Sequence, residues 1–190
     1  MAEVVLFDKI LGLGTLLLQI AIITLVISYF YYKNKHQSRI YKEVTKFVRQ
    51  NSILLAFLIV LSGTIFSLIY SNIIGYAACE LCWYQRILIY PQVIILGVAL
   101  IKKQKNIFDY VIGLNILGLI IAVYQYYLQM SGNNTACGTT GILCSSIYVL
   151  EFGYITIPMM SITLFISLIF LTYIWKHERK QNPRIEIEHL

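Results

Sequence analysis

Cys79-Glu80-Leu81-Cys82-Trp83-Tyr84-Gln85-Arg86-Ile87-Leu88-Ile89-Tyr90-Pro91 runs a pair of cysteines straight into a long apolar segment. The apolar continuation, residues 83–101, is close to the roughly 20 residues that a helix needs to cross about 30 Å of hydrocarbon. Four other runs read the same way, at 10–32, 52 to about 75, 107–128 and 152–175. The chain has 190 residues, 58% of them hydrophobic and 13% charged, with a mean hydropathy of +0.73. Soluble domains carry about 25% charged residues, so the composition is that of a membrane protein. The first run is too long for the h-region of a signal peptide, and Glu3 and Asp8 offset Lys9 in front of it. It is expected to stay as a spanning helix.

Orientation follows from the basic residues. Every Lys and Arg except Lys9 and Arg86 falls after the first run (Lys33, Lys35, Arg39, Lys42, Lys46, Arg49), in the third turn (Lys102, Lys103, Lys105) or in the tail (Lys176, Arg179, Lys180, Arg184). With spans alternating across the bilayer these segments share one side, which the positive-inside rule makes the cytoplasm. The formal charge of +6 therefore belongs to cytoplasmic loops and calls for no nucleic-acid partner. The expected topology puts the N-terminus outside and the C-terminus inside. Residues 34–51 read either as an amphipathic helix lying on the lipid surface or as a solvated basic loop.

The two connections left on the outer side hold all four cysteines, Cys79, Cys82, Cys137 and Cys144. Lysine and arginine placement never consulted the cysteines, so the segregation independently supports a redox role on the oxidising face of a membrane. A Cys-x-x-Cys pair closes a reversible disulfide, and a thiolate at a helix N-terminus is favoured by free backbone N–H groups and the dipole. Cys82 occupies that place. Arg86, four residues on, shares its helix face and adds a fixed positive charge. Its planar guanidinium also suits a quinone carbonyl and the charge that develops there on reduction, although an arginine snorkelling to headgroups is the plainer alternative. Trp83, Tyr84 and Tyr90 suit either a flat pocket or the ordinary interfacial belt. Pro91 and Pro158 sit where a kink would open room for a ligand.

Cys137 and Cys144 lie in a polar loop with Gly132, Gly138 and Gly141, able to carry an exchangeable disulfide or a static staple. Zinc is disfavoured by six residues between these cysteines and by the absence of a nearby His, and no metal is expected. No Asp, Glu, Lys, Arg or His lies in the middle of a span, which leaves a proton or ion transporter without support.

At these motifs the chain resembles the DsbB family of quinone-dependent disulfide oxidoreductases, most closely the short BdbC-like members of Gram-positive bacteria. The resemblance rests on the 79–91 motif, the Cys137 and Cys144 loop, and Phe152-Gly-Tyr-Ile-Thr-Ile-Pro158, and covers roughly residues 50–175. It implies an all-α membrane protein with a DsbB-like four-helix transmembrane bundle, here with one extra N-terminal transmembrane helix. The organisation expected is that extra helix at 1–34, a basic cytoplasmic segment at 35–51, the bundle at 52–176 and a cytoplasmic tail at 177–190.

The resemblance further implies that Cys79 and Cys82 form the quinone-proximal pair and that Cys137 and Cys144 face the partner. Cys137 would form the mixed disulfide with an extracytoplasmic thioredoxin-fold, DsbA-like thiol oxidase. Cys144 would then attack Cys79, and the released Cys82 would reduce quinone held by Arg86, with Gln85 and Tyr90 as further cofactor-binding residues. The quinone is menaquinone or ubiquinone, with menaquinone preferred from the Gram-positive resemblance, and the location is the plasma membrane. Two rivals remain: a vitamin K epoxide reductase-like thiol relay, in which the Cys-x-x-Cys comes late in the bundle, and a non-enzymatic scaffold pinned by structural disulfides.

Overall fold

The computed structural model describes residues 2–33, 39–102, 104–132 and 143–181. Five helices occur among them: α1 (Ala2–Lys33), α2 (Arg39–Leu68), α3 (Glu80–Ile101), α4 (Phe108–Met130) and α5 (Ile157–Gln181). Each contains a segment long and apolar enough to cross a membrane, namely Val4–Ser28, Gln50–Ile73, Glu80–Ile101, Phe108–Met130 and Ile157–Lys176. The protein is an all-helical, multi-pass membrane protein. A π-helical turn, Ile69–Ile73, continues α2, and a short 3-10 turn, Lys105–Ile107, leads into α4.

Helices α2, α3, α4 and α5 close into a four-helix bundle in which each packs on two neighbours, most extensively α4 on α5. Between apolar helices in lipid there is little hydrophobic drive to associate, so close packing has to supply the attraction. Successive residues of α5 provide it in two directions. Leu164 presses on the bare backbone of Gly63 in α2, and the Phe165 ring presses on Gly118 in α4. Phe165, Leu96 and Val60 are fully buried around these contacts, and Phe108 packs on Trp175 with ring centroids 5.3 Å apart. Lys176 pairs with Asp109 at 2.7 Å, tying α5 to the start of α4.

Buried amides supply polar links. Gln92 of α3 donates from Nε2 to Asn115 Oδ1 of α4 at 3.1 Å and to its own helix at Leu88 O. Burial without a partner would be costly in hydrocarbon, so such pairs also fix register.

Helix α1 stands outside this ring and packs mainly on α5 and α2. Gln19 Nε2 donates to Thr163 Oγ1 at 2.9 Å, and the Tyr154 hydroxyl donates to Gln19 Oε1 at 2.9 Å. Phe7 meets Phe66 and Tyr70 edge-on, with centroids 6.2 and 5.6 Å away.

Three expectations are revised. The fifth helix starts at Ile157 instead of 152, because Phe152 (φ 51) and Gly153 (φ 78) take left-handed conformations that close a tight turn. Glu151 and Ile155 exchange both backbone hydrogen bonds across that turn, at 2.9 Å each. The stretch 39–51 is neither a separate surface helix nor a loop but the first part of α2. The third helix starts at Glu80, which moves Cys82 into its first turn. Residues 34–38 lie outside the described residues, as do 133–142 with Cys137.

Candidate functional site

The π-helical end of α2 and the extended segment after Gly75 (φ 84) deliver the chain to the start of α3. Cys79 caps α3 in an extended conformation (φ −73, ψ 171), with no side chain bonded to the first-turn N–H groups. Those donors therefore keep their partial positive charge at the place where the sulfurs sit. The two sulfurs lie 3.0 Å apart as free thiols. Cys79 is buried and Cys82 half-buried.

A third side chain joins them from a distant part of the sequence. Gln125 of α4 reaches both sulfurs with Nε2, 3.2 Å from Cys79 Sγ and 3.1 Å from Cys82 Sγ. Its orientation is set by Gln85, whose Nε2 donates to Gln125 Oε1 at 2.6 Å. Both amides are buried. A hydrogen bond to a charged sulfur is about twice as strong as one between neutral groups, so Gln125 favours whichever sulfur carries the negative charge. The hydrogen bond with Cys82, followed by burial, pushes the Cys79 thiol well above the usual thiol range.

Arg86 follows one turn below Cys82. Its Nε donates to Ser67 Oγ at 3.0 Å and its Nη2 to Ser67 O at 3.1 Å, which fixes the plane of the guanidinium. The Tyr90 hydroxyl donates to the same Ser67 Oγ at 3.3 Å. Trp83 lies under the guanidinium, with Cζ 5.2 Å from the ring centroid.

Cys144 approaches from the loop between α4 and α5. It is disulfide-bonded and buried, and packs with Cys79 and Leu128 in one small cluster against Leu81 and Cys82. Gln129 Nε2 holds that loop to α4 through Ser146 O at 2.8 Å. Tyr76 stacks between Tyr70 and Tyr148, with centroid distances of 5.7 and 4.9 Å, and so joins the π-helical end of α2 to both cysteine-bearing connections.

A cavity of about 310 Å³ runs beneath this surface, and Cys79, Cys82, Arg86, Gln85, Gln125 and Cys144 all line it. Of the residues expected from the sequence, Cys79, Cys82, Cys144, Arg86 and Gln85 come together here. Tyr90 is not among the lining residues and instead braces Ser67. Trp83 and Tyr84 are half exposed on the outside of the bundle, as a belt requires. Pro91 lies exposed inside α3, and Pro158, at the start of α5, lines the cavity. Sequence reasoning missed Gln125, Ser67 and Gln129. The available signal was an amide inside an apolar span, which is expensive unless something bonds it.

The model of the family "Disulfide bond formation protein DsbB" matches residues 49–175, two thirds of the chain and most of the four-helix bundle. The chain belongs to the DsbB family. This membership places it among proteins of disulfide bond formation. A "SPbeta prophage-derived disulfide bond formation protein B" of Bacillus subtilis is 42% identical over 146 residues, 74% of this chain and 97% of the relative. A "Probable disulfide formation protein C 2" of Bacillus anthracis is 37% identical over 137 residues, 71% of this chain and 97% of the relative. The "Disulfide bond formation protein C" of Bacillus subtilis is 38% identical over 119 residues, 60% of this chain and 85% of the relative. No solved structure matches the chain. Helix α1 lies outside the DsbB match.

Proposed function

We propose that this DsbB-family protein is a thiol:quinone oxidoreductase that reoxidises an extracytoplasmic thioredoxin-fold disulfide-forming protein and reduces a membrane quinone. The carrying observation is the single cavity that brings the Cys79 and Cys82 thiols, the fixed Arg86 guanidinium and the Cys144 disulfide to one place. Ligand pockets range over about 300–1,000 Å³, so a volume of about 310 Å³ suits a flat ring with its isoprenoid tail outside. Gln129 also lines the cavity, with its Nε2 committed to Ser146 O, so its amide is held in the cavity wall.

A bound quinone supplies a two-electron, two-proton acceptor. The residues of the chain divide the remaining work. A reduced partner dithiol exchanges with a Cys137–Cys144 disulfide through a mixed disulfide at Cys137, so the partner leaves oxidised and this pair becomes two thiols. Cys144 attacks Cys79 of an oxidised Cys79–Cys82 pair, Cys137 resolves the bond between them, and the two electrons and two protons move to the inner thiols. Cys79 and Cys82 then close their disulfide as the electrons and protons leave for the acceptor. Gln125 and the tip of α3 hold negative charge on Cys82, and Arg86 holds the oxygen that becomes negative. Free inner thiols beside an outer disulfide correspond to the state just before that last step.

The basic residues favour an orientation with both cysteine pairs outside the cytoplasm. Menaquinone is the expected acceptor over ubiquinone. Purified protein mixed with a reduced thioredoxin-fold substrate and a quinone tests the reading: quinol is expected to form with one partner disulfide per quinol. Membrane-impermeant thiol labelling of intact cells is expected to reach the outer pair after reduction. Absence of quinol, or thiols reachable only after the cells are broken, overturns it.

A further inference from the structure

The cavity has a wall that the family match leaves out. Leu11, Gly14, Thr15 and Leu18 of α1 line it together with Cys82 and Arg86. Spaced three and four residues apart, they form one stripe on α1. The two middle positions are small. A Cβ on Gly14 would meet nothing within 4 Å, so open space lies beside it. The Thr15 hydroxyl is committed to Leu11 O at 2.8 Å, so the position offers the cavity bulk but no free donor.

This wall is fixed in place. Gln19, one residue beyond the stripe, is bonded from both ends of its amide to Tyr154 and Thr163. Gly12 lets α1 approach the outer loop so closely that an added Cβ would stand 2.8 Å from Glu151 Cβ. Asp8 is buried, and Phe7 is wedged on Phe66 and Tyr70. These contacts set the rotation and height of α1, so its stripe faces the cavity as a defined surface. Leu13 and Leu17, on its other side, are about half exposed, as lipid-facing residues are.

We propose that α1 is a specificity element of the acceptor site, in which the small side chains at Gly14 and Thr15 leave room for the ring of the quinone and thereby set the ring size accepted. The inference rests on the quinone reading above and deepens it. With only about 310 Å³ available, a change of a few methylene groups on one wall is a large fraction of the space for a fused bicyclic ring and a smaller handicap for a single ring.

The test uses the full-length protein with a reduced thioredoxin-fold substrate and two soluble acceptors, a short-chain benzoquinone and a short-chain naphthoquinone. Gly14→Leu is expected to fold, since leucine favours a helix more than glycine does and its Cβ meets no neighbour. It is expected to raise KM for the naphthoquinone by about tenfold relative to the benzoquinone, the scale at which a tight apolar pocket discriminates by size. Leu18→Ala is expected to move the ratio the opposite way, and Leu17→Phe, on the lipid side, to leave both values unchanged. Unchanged KM ratios in both Gly14→Leu and Leu18→Ala, with turnover intact in the wild-type protein, overturn this inference alone. A fall in kcat without a change of ratio does the same. Failure of the wild-type protein to reduce either quinone overturns the acceptor reading and this inference with it.

Discussion

Gln125 and Cys82 are 43 residues apart in sequence, yet the Gln125 amide donates to the Cys82 sulfur across 3.1 Å. The same nitrogen reaches Cys79 Sγ at 3.2 Å, so one side chain on α4 serves both members of the pair on α3. In the proposed relay this amide would support the Cys82 thiolate that is released when Cys144 attacks Cys79.

Replacing Gln125 by leucine keeps the bulk and removes the donor. A hydrogen bond to a charged group contributes about 1.5–3 kcal/mol, so quinone reduction by the inner pair is expected to slow roughly ten- to a hundredfold. Stopped-flow absorbance of quinol formation reads this, and Cys82 alkylation by iodoacetamide at neutral pH is expected to slow in parallel. Gln85→Leu, which releases Gln125 without touching sulfur, is expected to show a smaller change of the same kind.

Arg86 is held by Ser67 through both Oγ and the backbone carbonyl. Arg86→Met is expected to impair quinone use while leaving partner-disulfide exchange in place, and Arg86→Lys to restore only part of it, since an ammonium cannot match the planar fork. Ser67→Ala removes one of the two bonds and is expected to raise the quinone KM a few-fold. Steady-state kinetics with quinone varied at saturating partner separate these outcomes.

The cysteines divide by step. Cys82→Ser and Cys137→Ser are both expected to abolish turnover, for different reasons. In Cys82→Ser the protein is expected to accumulate as a covalent species through its unresolved inner sulfur, whereas Cys137→Ser is expected to form no mixed disulfide with the partner. Non-reducing gel electrophoresis of the trapped species distinguishes them.

Stability rests on the α4–α5 seam. Any side chain at Gly118 enters the Phe165 ring, which is fully buried and cannot retreat. Gly118→Val is expected to destabilise the bundle by about 1–3 kcal/mol through overpacking, read as a lower midpoint in thermal unfolding in detergent. Gly14→Ala on α1, where a Cβ meets open space, is the matched control and is expected to hold or slightly raise the midpoint, since alanine favours a helix more than glycine does.

The spans were legible because crossing hydrocarbon demands about 20 apolar residues, and each of the five runs supplies close to that number. The juxtaposition of the two thiols was legible because Cys79 and Cys82 are close in sequence at the start of a helix. Contacts between distant segments were hidden. Gln125 looked like one more polar residue within α4, and attention to charged side chains alone passed over the amides at Gln85, Gln92, Asn115, Gln125 and Gln129, all of them buried. The start of α5 was misplaced because Phe152 is apolar and continues the hydrophobic run, while its left-handed backbone follows from pairing between Glu151 and Ile155. The place of α1 against the cavity depends on Gln19 and Gly12, neither of which announces a partner in sequence.

The transfer from the inner thiols to quinone is most directly tested in a Cys137→Ser/Cys144→Ser protein, reduced, freed of reductant and mixed with one equivalent of quinone without any partner. One quinol per protein is expected, formed at the same rate as a Cys79–Cys82 disulfide appears by mass spectrometry. Quinone left unreduced, or quinol formed while both inner thiols remain free, would contradict the account.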